Sequence, residues 1–486
     1  MNCKRPLVVV ESKLPHQLSS TNERPSTVRR RNTDLHARVN GNLTFEFADT
    51  QLTSYAGLEL FDRYLRGIGF SDLVRSSFRK VRLGGDFGVI AMIRVLIGLL
   101  VVGGRRLEHL KYLATDPLLH RFARVQVWPT ARTVSRWLKR FTMKSVEHLA
   151  ALNAAVIAQI LPRLQLRSLT VDVDGTVVST GLQVERAERG YNPHRRKVPS
   201  YYPIMAHLAE TTHVLRVRNR SGNVHDGKAS LSFLRELWQQ LAAFSMPSGQ
   251  IRFRMDGAFF REDVLRWLAW RGMGYAIKVP FYHWLDLQQF IRKARSWTRV
   301  TAEVSGFMVP AVQTPWGRTL PVAIYRRRVA HQTAKNFQLD LFDPDDGSYE
   351  YSAITTNLDY TLANLWHFMA GRGAHEKTIA QLKSGLAFHT VPTLAYAANS
   401  AWQQLVALTH NLLTNFQIDT GAERRRRSRK HTALARLSTV QTLRFTFFHR
   451  AAALVRPAGR AVLRLTSNPA TERLFTRIEQ ALPCAA

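Results

Sequence analysis

Across residues 43–164 the apolar positions recur near the helical period. Leu58, Leu60, Phe61, Tyr64, Leu65, Ile68 and Phe70 share a stripe, as do Val134, Leu138 and Phe141, so amphipathic helices are predicted there. The longest apolar stretch, 87–104, is interrupted by Arg94 and leaves only ten uncharged residues after it. That is too short to span a bilayer and predicts a buried helix. At residue 166 the pattern changes. LRSLTVDVDGTVV is a β-branched run, and YYPIMAHLAE and HVLRVRNRSGN predict two further strands, the last closing on a Ser-Gly-Asn turn. A helix over 229–244, the strand QIRFRMD, the helix EDVLRWLAWRG and the strand YAIKVP follow. Strands alternating with helices predict an α/β layer with a sheet at least partly parallel. Residues 281–351 break that rhythm with short β-like runs and read as a β-rich insertion, after which helices resume over 362–416.

Charge changes the picture more than size does. The 486 residues suffice for about three domains, and 45% hydrophobic content excludes wholesale disorder. Lys and Arg number 69 against 35 Asp and Glu, a formal charge of +34. Repulsion on that scale calls for a polyanion, with nucleic acid ahead of anionic membrane, because no helix pairs a basic face with an aromatic one. Residues 1–40 read as a disordered basic arm and 41–165 as a helical, DNA-binding domain; 417–486 form a basic C-terminal region. From residue 422 onward that region holds 14 Arg or Lys against 3 Glu. Within the helical part, PTARTVSRWLKRF presents Arg132, Arg136, Lys139 and Arg140 as candidates for contact with a DNA groove, or simply as a basic surface helix. Only Cys3 and Cys484 occur, which excludes a disulfide framework and a Cys-rich zinc site. The opening MNCKRPLVVVESK has too short an apolar run for an export signal, so a cytoplasmic, nucleoid-associated protein is expected.

Three acids stand out against this basic background. In TVDVDGT, Asp172 and Asp174 lie two apart on a predicted strand and face the same way. Asp256 in RMDGAFF sits at the end of another strand with Gly next, and Glu376 lies in GRGAHEKTIAQLK. Singly, each has an ordinary explanation: a turn cap, a helix N-cap, a solvated helix residue. On one helix, however, Arg372, Glu376 and Lys383 would fall within roughly 40° of each other. That arrangement is either a salt-bridge stripe or a carboxylate flanked by two phosphate-gripping cations. Three carboxylates converging without a cation would repel one another, so the grouping implies a divalent-metal site.

The order DVDGT, RMDGAFF and R-x3-E-x6-K resembles the DDE transposases of bacterial insertion sequences, in the branch called DDE domain group one with its Y-R-E-K type signature. ERGYNPHRRKVPSYYPI, RSGNVHDGKAS, ITTNL and AANSAWQQLVALTHNLL carry the same resemblance, which spans roughly residues 45–480. The signature's Tyr falls at Met369, so no phosphate-gripping role transfers to that position. The resemblance implies a ribonuclease-H-like catalytic core over 166–280 and 352–416, split by the 281–351 insertion. It implies Asp174, Asp256 and Glu376 as catalytic metal ligands, with Asp172 as the alternative to Asp174. It further implies two Mg²⁺ or Mn²⁺ ions, Arg372 and Lys383 on DNA phosphates, and Trp297 or Trp316 stacking on a base. The implied reaction is cleavage of the element's ends and joining of their 3′-hydroxyls to target DNA by a homodimer. No small-molecule cofactor and no membrane partner are implied. A metal-dependent nuclease without strand transfer would share the acids, and an inactive DNA-binding derivative would share the charge.

Overall fold

The computed structural model describes residues 51–81, 83–181, 183–190, 192, 197–225, 227–328, 349–425 and 432–482. The expected basic arm at 1–40 and the end of the Arg424–Arg427 run lie outside these residues.

Helices dominate the first part, as the apolar spacing predicts: α1 (Gly57–Gly67), α2 (Phe70–Phe78), α3 (Gly88–Val101), α4 (Ala131–Leu138) and α5 (Met143–Ala158). Helix α3 is the buried helix expected from the 87–104 stretch, and its Arg94 is wholly enclosed. That charge is tolerated because the guanidinium donates to Asp62 and to the Phe122 carbonyl and lies over the Phe122 ring. The segment Met143–Leu164 is apolar and long enough to cross a membrane, yet 56% of it is buried inside the protein. Its Asn153 bonds the Val214 carbonyl and Asn411, so this face belongs to the interior.

A nine-stranded mixed sheet follows. Its strands are β1 (Leu169–Gly175), β2 (Ile204–Leu208), β3 (Val214–Arg218), β4 (Ile251–Met255), β5 (Gly274–Val279), β6 (Thr298–Arg299), β7 (Val304–Gln313), β8 (Thr319–Arg328) and β9 (Tyr349–Thr356). The spatial order is β3-β2-β1-β4-β5-β9-β8-β7-β6. β1, β4 and β5 pair in parallel, whereas β2 is antiparallel to both neighbours and β6 to β9 form antiparallel pairs. The parallel connections run through α6 (Ser230–Ala242) and α7 (Glu262–Trp270), where sequence periodicity places helices. The 281–351 stretch is rich in β-structure but does not make a sheet of its own. Its strands extend the main sheet, because β9 straddles the expected boundary and pairs with β5.

Beyond β9 come α8 (Leu362–Ala370), α9 (Gly373–Ala380) and the 24-residue α10 (Tyr396–Asp419). Helix α10 is buried along nearly its whole length, against α5 on one side and β3 on another. Its asparagines are therefore matched by partners: Asn411 Oδ1 receives the Val214 amide, and Asn415 Oδ1 accepts from His213 Nε2 at 2.6 Å.

Burial pulls His213 down to about 4, with the Asn415 contact opposing, and also lowers His410, whose Nε2 faces the Thr212 carbonyl at 2.9 Å. Both rings fold in the neutral form, whereas in the unfolded chain they titrate near 6.5. Stability from them is complete above about pH 6.5 and declines as acidification protonates the unfolded chain first. For His213 the slope approaches about 1.4 kcal/mol per pH unit between about pH 6.5 and pH 4, and His410 acts in the same direction. Urea unfolding midpoints should thus fall between pH 7.5 and pH 5; equal midpoints would contradict this account.

Candidate active site

The β1–β4 register sets Val173 beside Met255. The next residue on each strand is an acid, Asp174 and Asp256, so two carboxylates stand side by side at the carboxyl ends of adjacent parallel strands. Ligands gather at such strand ends in α/β sheets. Each acid turns one oxygen onto the amide of the glycine after it, at 2.9 Å for Gly175 and 2.7 Å for Gly257. These bonds hold the side chains at the strand tips. Asp174 is mostly covered (18% of its side chain exposed), while Asp256 is open to solvent at 45%.

Two unit charges about 4 Å apart repel by ~4 kcal/mol at the effective dielectric of a protein surface, so such neighbours need a cation. Arg372 supplies it. Its guanidinium donates to Asp174 Oδ2 at 2.9 Å and lies 3.8 Å from Asp256 Oδ1. Burial pulls the Arg372 pKa down, but Asp174, Asp256, Asp172 and Glu376 together push it above the ordinary arginine value.

Glu376 is an exposed residue in the first turn of α9, where a negative charge suits the helix dipole. It stands one turn from Arg372, which holds the position just before the helix and makes no side-chain capping bond. The structure thus gathers Asp174, Asp256 and Arg372 directly and brings Glu376 into the same electrostatic field. Among the described residues, no three His, Cys, Asp or Glu side chains lie close enough together to hold a metal ion. The paired carboxylates are hard oxygen donors already sharing a cation, the chemistry that suits Mg²⁺ or Mn²⁺.

Lys383 departs from the simple helical stripe. It lies in a π-helical turn (Gln381–Gly385) after α9, so the uniform 100° step used to align it with Glu376 fails there. It is half-buried, and burial pushes its ammonium below the ordinary lysine range.

Asp172 faces the same side of β1 as Asp174 but has a different environment. It is fully buried, with Arg254 Nε at 2.5 Å from one oxygen and Nη2 at 2.7 Å from the other. Burial pushes its carboxyl up, and the bidentate Arg254 pulls it back toward the ionised form. The third Arg254 nitrogen donates to the Phe368 carbonyl of α8 at 2.7 Å. Beside this pair, His207 of β2 meets His375 of α9, Nδ1 to Nδ1, at 2.5 Å. One ring must donate and the other accept. Burial and nearby cations hold both neutral, His375 at about 3 and His207 well below the usual value. Arg254, His207 and His375 were not singled out by sequence reasoning. The available signal was Arg-x-Asp on β4 mirroring Asp-x-Asp on β1.

The remaining candidates separate. Trp297 is enclosed by Phe307, Tyr351 and the Arg326 guanidinium, 4.2 Å over its ring. Trp316 packs on Phe260, in the loop that follows Asp256, and on Trp284, itself stacked on Tyr282. Arg132, Arg136 and Lys139 are exposed on or just past α4, whose Thr130 cap receives the Thr133 amide. Arg140 turns back instead, donating to the Leu83 carbonyl at 3.2 Å.

Comparison with known proteins adds three findings. A family model described as "Transposase DDE domain group 1" matches residues 35–485. No curated protein matches the chain at a significant level. Among solved structures, a piggyBac transposase synaptic complex with hairpin DNA is similar at 11% sequence identity and a TM-score of 0.37, covering 81% of this chain and 80% of that one.

Proposed function

This chain belongs to the transposase DDE domain group 1 family, and from that premise we infer that Asp174, Asp256 and Glu376 are the acids of a site that cuts and joins DNA. One observation carries the reading. Two adjacent parallel strands end in carboxylates that share a single guanidinium, and that guanidinium precedes Glu376 by one helical turn. The strand order β3-β2-β1-β4-β5, with β2 alone reversed, supports reading these five strands as a ribonuclease-H-like core.

Asp174 and Asp256 would hold the divalent metal, and Glu376, which forms no three-acid cluster with them in this structure, would have to close on the pair to join them. The sealed Asp172–Arg254 pair leaves Asp172 a structural acid. Two bound Mg²⁺ or Mn²⁺ ions would activate an attacking oxygen and stabilise a leaving one in phosphodiester hydrolysis and transesterification. The protein's own part is positional. Arg372 keeps the two carboxylates together and offers its guanidinium to a neighbouring phosphate. Lys383, half-desolvated, gains by pairing with a phosphate oxygen. Neither contact reads sequence. Trp316, beside the Asp256 loop, is better placed than Trp297 to stack on an unpaired base, a contact worth ~1–3 kcal/mol. Both ends of an element have to be handled together, so the working form is a homodimer on DNA.

Strand joining is the step that separates a transposase from a nuclease. Pre-cut ends carrying free 3′-hydroxyls, a target plasmid and Mg²⁺ should give joined products with this protein. Plasmid nicking without joined products would leave only the nuclease.

A further inference from the structure

A cleft of about 900 Å³ opens on the helical part of the molecule, with neither paired carboxylate in its lining. One wall is α4 with the residue just after it, presenting Arg132, Arg136 and Lys139; a second brings Arg105 and Arg106; among the described residues Glu108 is the only acid on the lining. Five cations against one acid across an open space repel each other and gain by taking up an anion. Arg132, Arg136 and Lys139 are exposed, and all five side chains line one cleft, unlike the dispersed charge of an ordinary basic surface.

The third wall is the 389–392 segment, and it links the cleft to the catalytic helix. His389 Nδ1 lies 2.8 Å from the Lys383 carbonyl, and the Arg105 guanidinium donates to the Ser384 carbonyl at 2.9 Å. The π-turn that carries Lys383 is therefore tied at two points to the cleft margin.

The geometry points to this cleft as a binding site for the phosphate backbone of double-stranded DNA, holding the duplex that leads away from the Lys383 end of the active site. This deepens the reading given above and rests on it for the identity of the polyanion. The contacts are to phosphates, so the site fixes position along the duplex without reading bases.

The test needs no chemistry. Binding of a short labelled mixed-sequence duplex is followed by fluorescence anisotropy against salt, in the absence of divalent metal, so failure of the acidic-site assignment leaves the result intact. The triple variant Arg132→Ala, Arg136→Ala and Lys139→Ala should bind at least about tenfold more weakly. It should also lose about 3 from its log–log salt slope, close to one for each phosphate contact removed. The exposed triple Arg456→Ala, Arg460→Ala and Arg464→Ala, none of which lines this cleft, should stay within about twofold of the unaltered protein. Equal losses in both triples, or no loss in the first, would overturn the proposal. In the unaltered protein, the duplex should protect Lys139 from chemical acetylation; equal labelling with and without DNA would overturn it whatever the variants do.

Discussion

Asp256→Ala is expected to lower metal-dependent DNA cleavage at least about a thousandfold, a loss of about 4 kcal/mol of transition-state stabilisation. Duplex binding should change by less than about twofold, because one exposed acid in a molecule of charge +34 does not attract phosphate. The size of the effect follows from position. Asp256 is the more solvent-exposed of the two strand-end carboxylates, and among the described residues only Gly257 and Arg372 engage its carboxylate closely. Its removal takes away oxygen donors without opening a cavity in the core. Asp174→Asn and Glu376→Gln should act in the same direction. Arg372→Ala should cost less, about ten- to a hundredfold, since it removes a positioning cation and leaves all three acids in place. Cleavage that survives Asp256→Ala would remove the acid pair from the chemistry and with it the proposed site.

Much of this arrangement could be read from the chain. The apolar stripe around Phe61 and Tyr64, the buried helix bearing Arg94, and the alternation of β1, β4 and β5 with α6 and α7 are all local patterns, and periodicity reports local patterns well. Asp174 and Asp256 were visible because each ends a predicted strand and is followed by glycine. Long-range pairing was not visible. Nothing between residues 281 and 351 announces that its strands will join the sheet through β9, since an antiparallel edge is chosen by packing between distant segments. The break at Gly371 was also hidden. A Cβ there would come within 2.2 Å of Arg254 Nη1, so the glycine exists for a side chain more than a hundred residues earlier. The same applies to Lys383. A helical wheel assumes an uninterrupted helix, and the π-turn that moves this residue is set by contacts such as the Gln381 side chain receiving the Val440 amide.

Arg254→Met is expected to be the most destabilising single change near the site, costing about 3–5 kcal/mol. Asp172 lies at 0% exposure and is pinned by two of the three Arg254 nitrogens, so removing the cation leaves a buried carboxylate without its ion-pair partner. The His207 ring, 3.7 Å away, is kept neutral by burial and offers no charge, and Arg372 acts on Asp172 only through its field. The variant must protonate Asp172 or let water in, and either change loosens the Phe368 carbonyl and the α8–α9 junction from which Arg372 projects. Paired removal distinguishes this mechanism from simple loss of packing. With Arg254→Met and Asp172→Leu combined, no buried charge remains, and the double variant should recover at least about 2 kcal/mol of the single variant's loss. Arg254→Lys should not rescue, because an ammonium cannot bond both Asp172 oxygens and the Phe368 carbonyl with the geometry of a planar fork. Urea unfolding of the three variants measures all of this. A loss below about 1 kcal/mol for Arg254→Met would show that the strands and helices are held by their apolar faces alone, with the buried pair incidental to them.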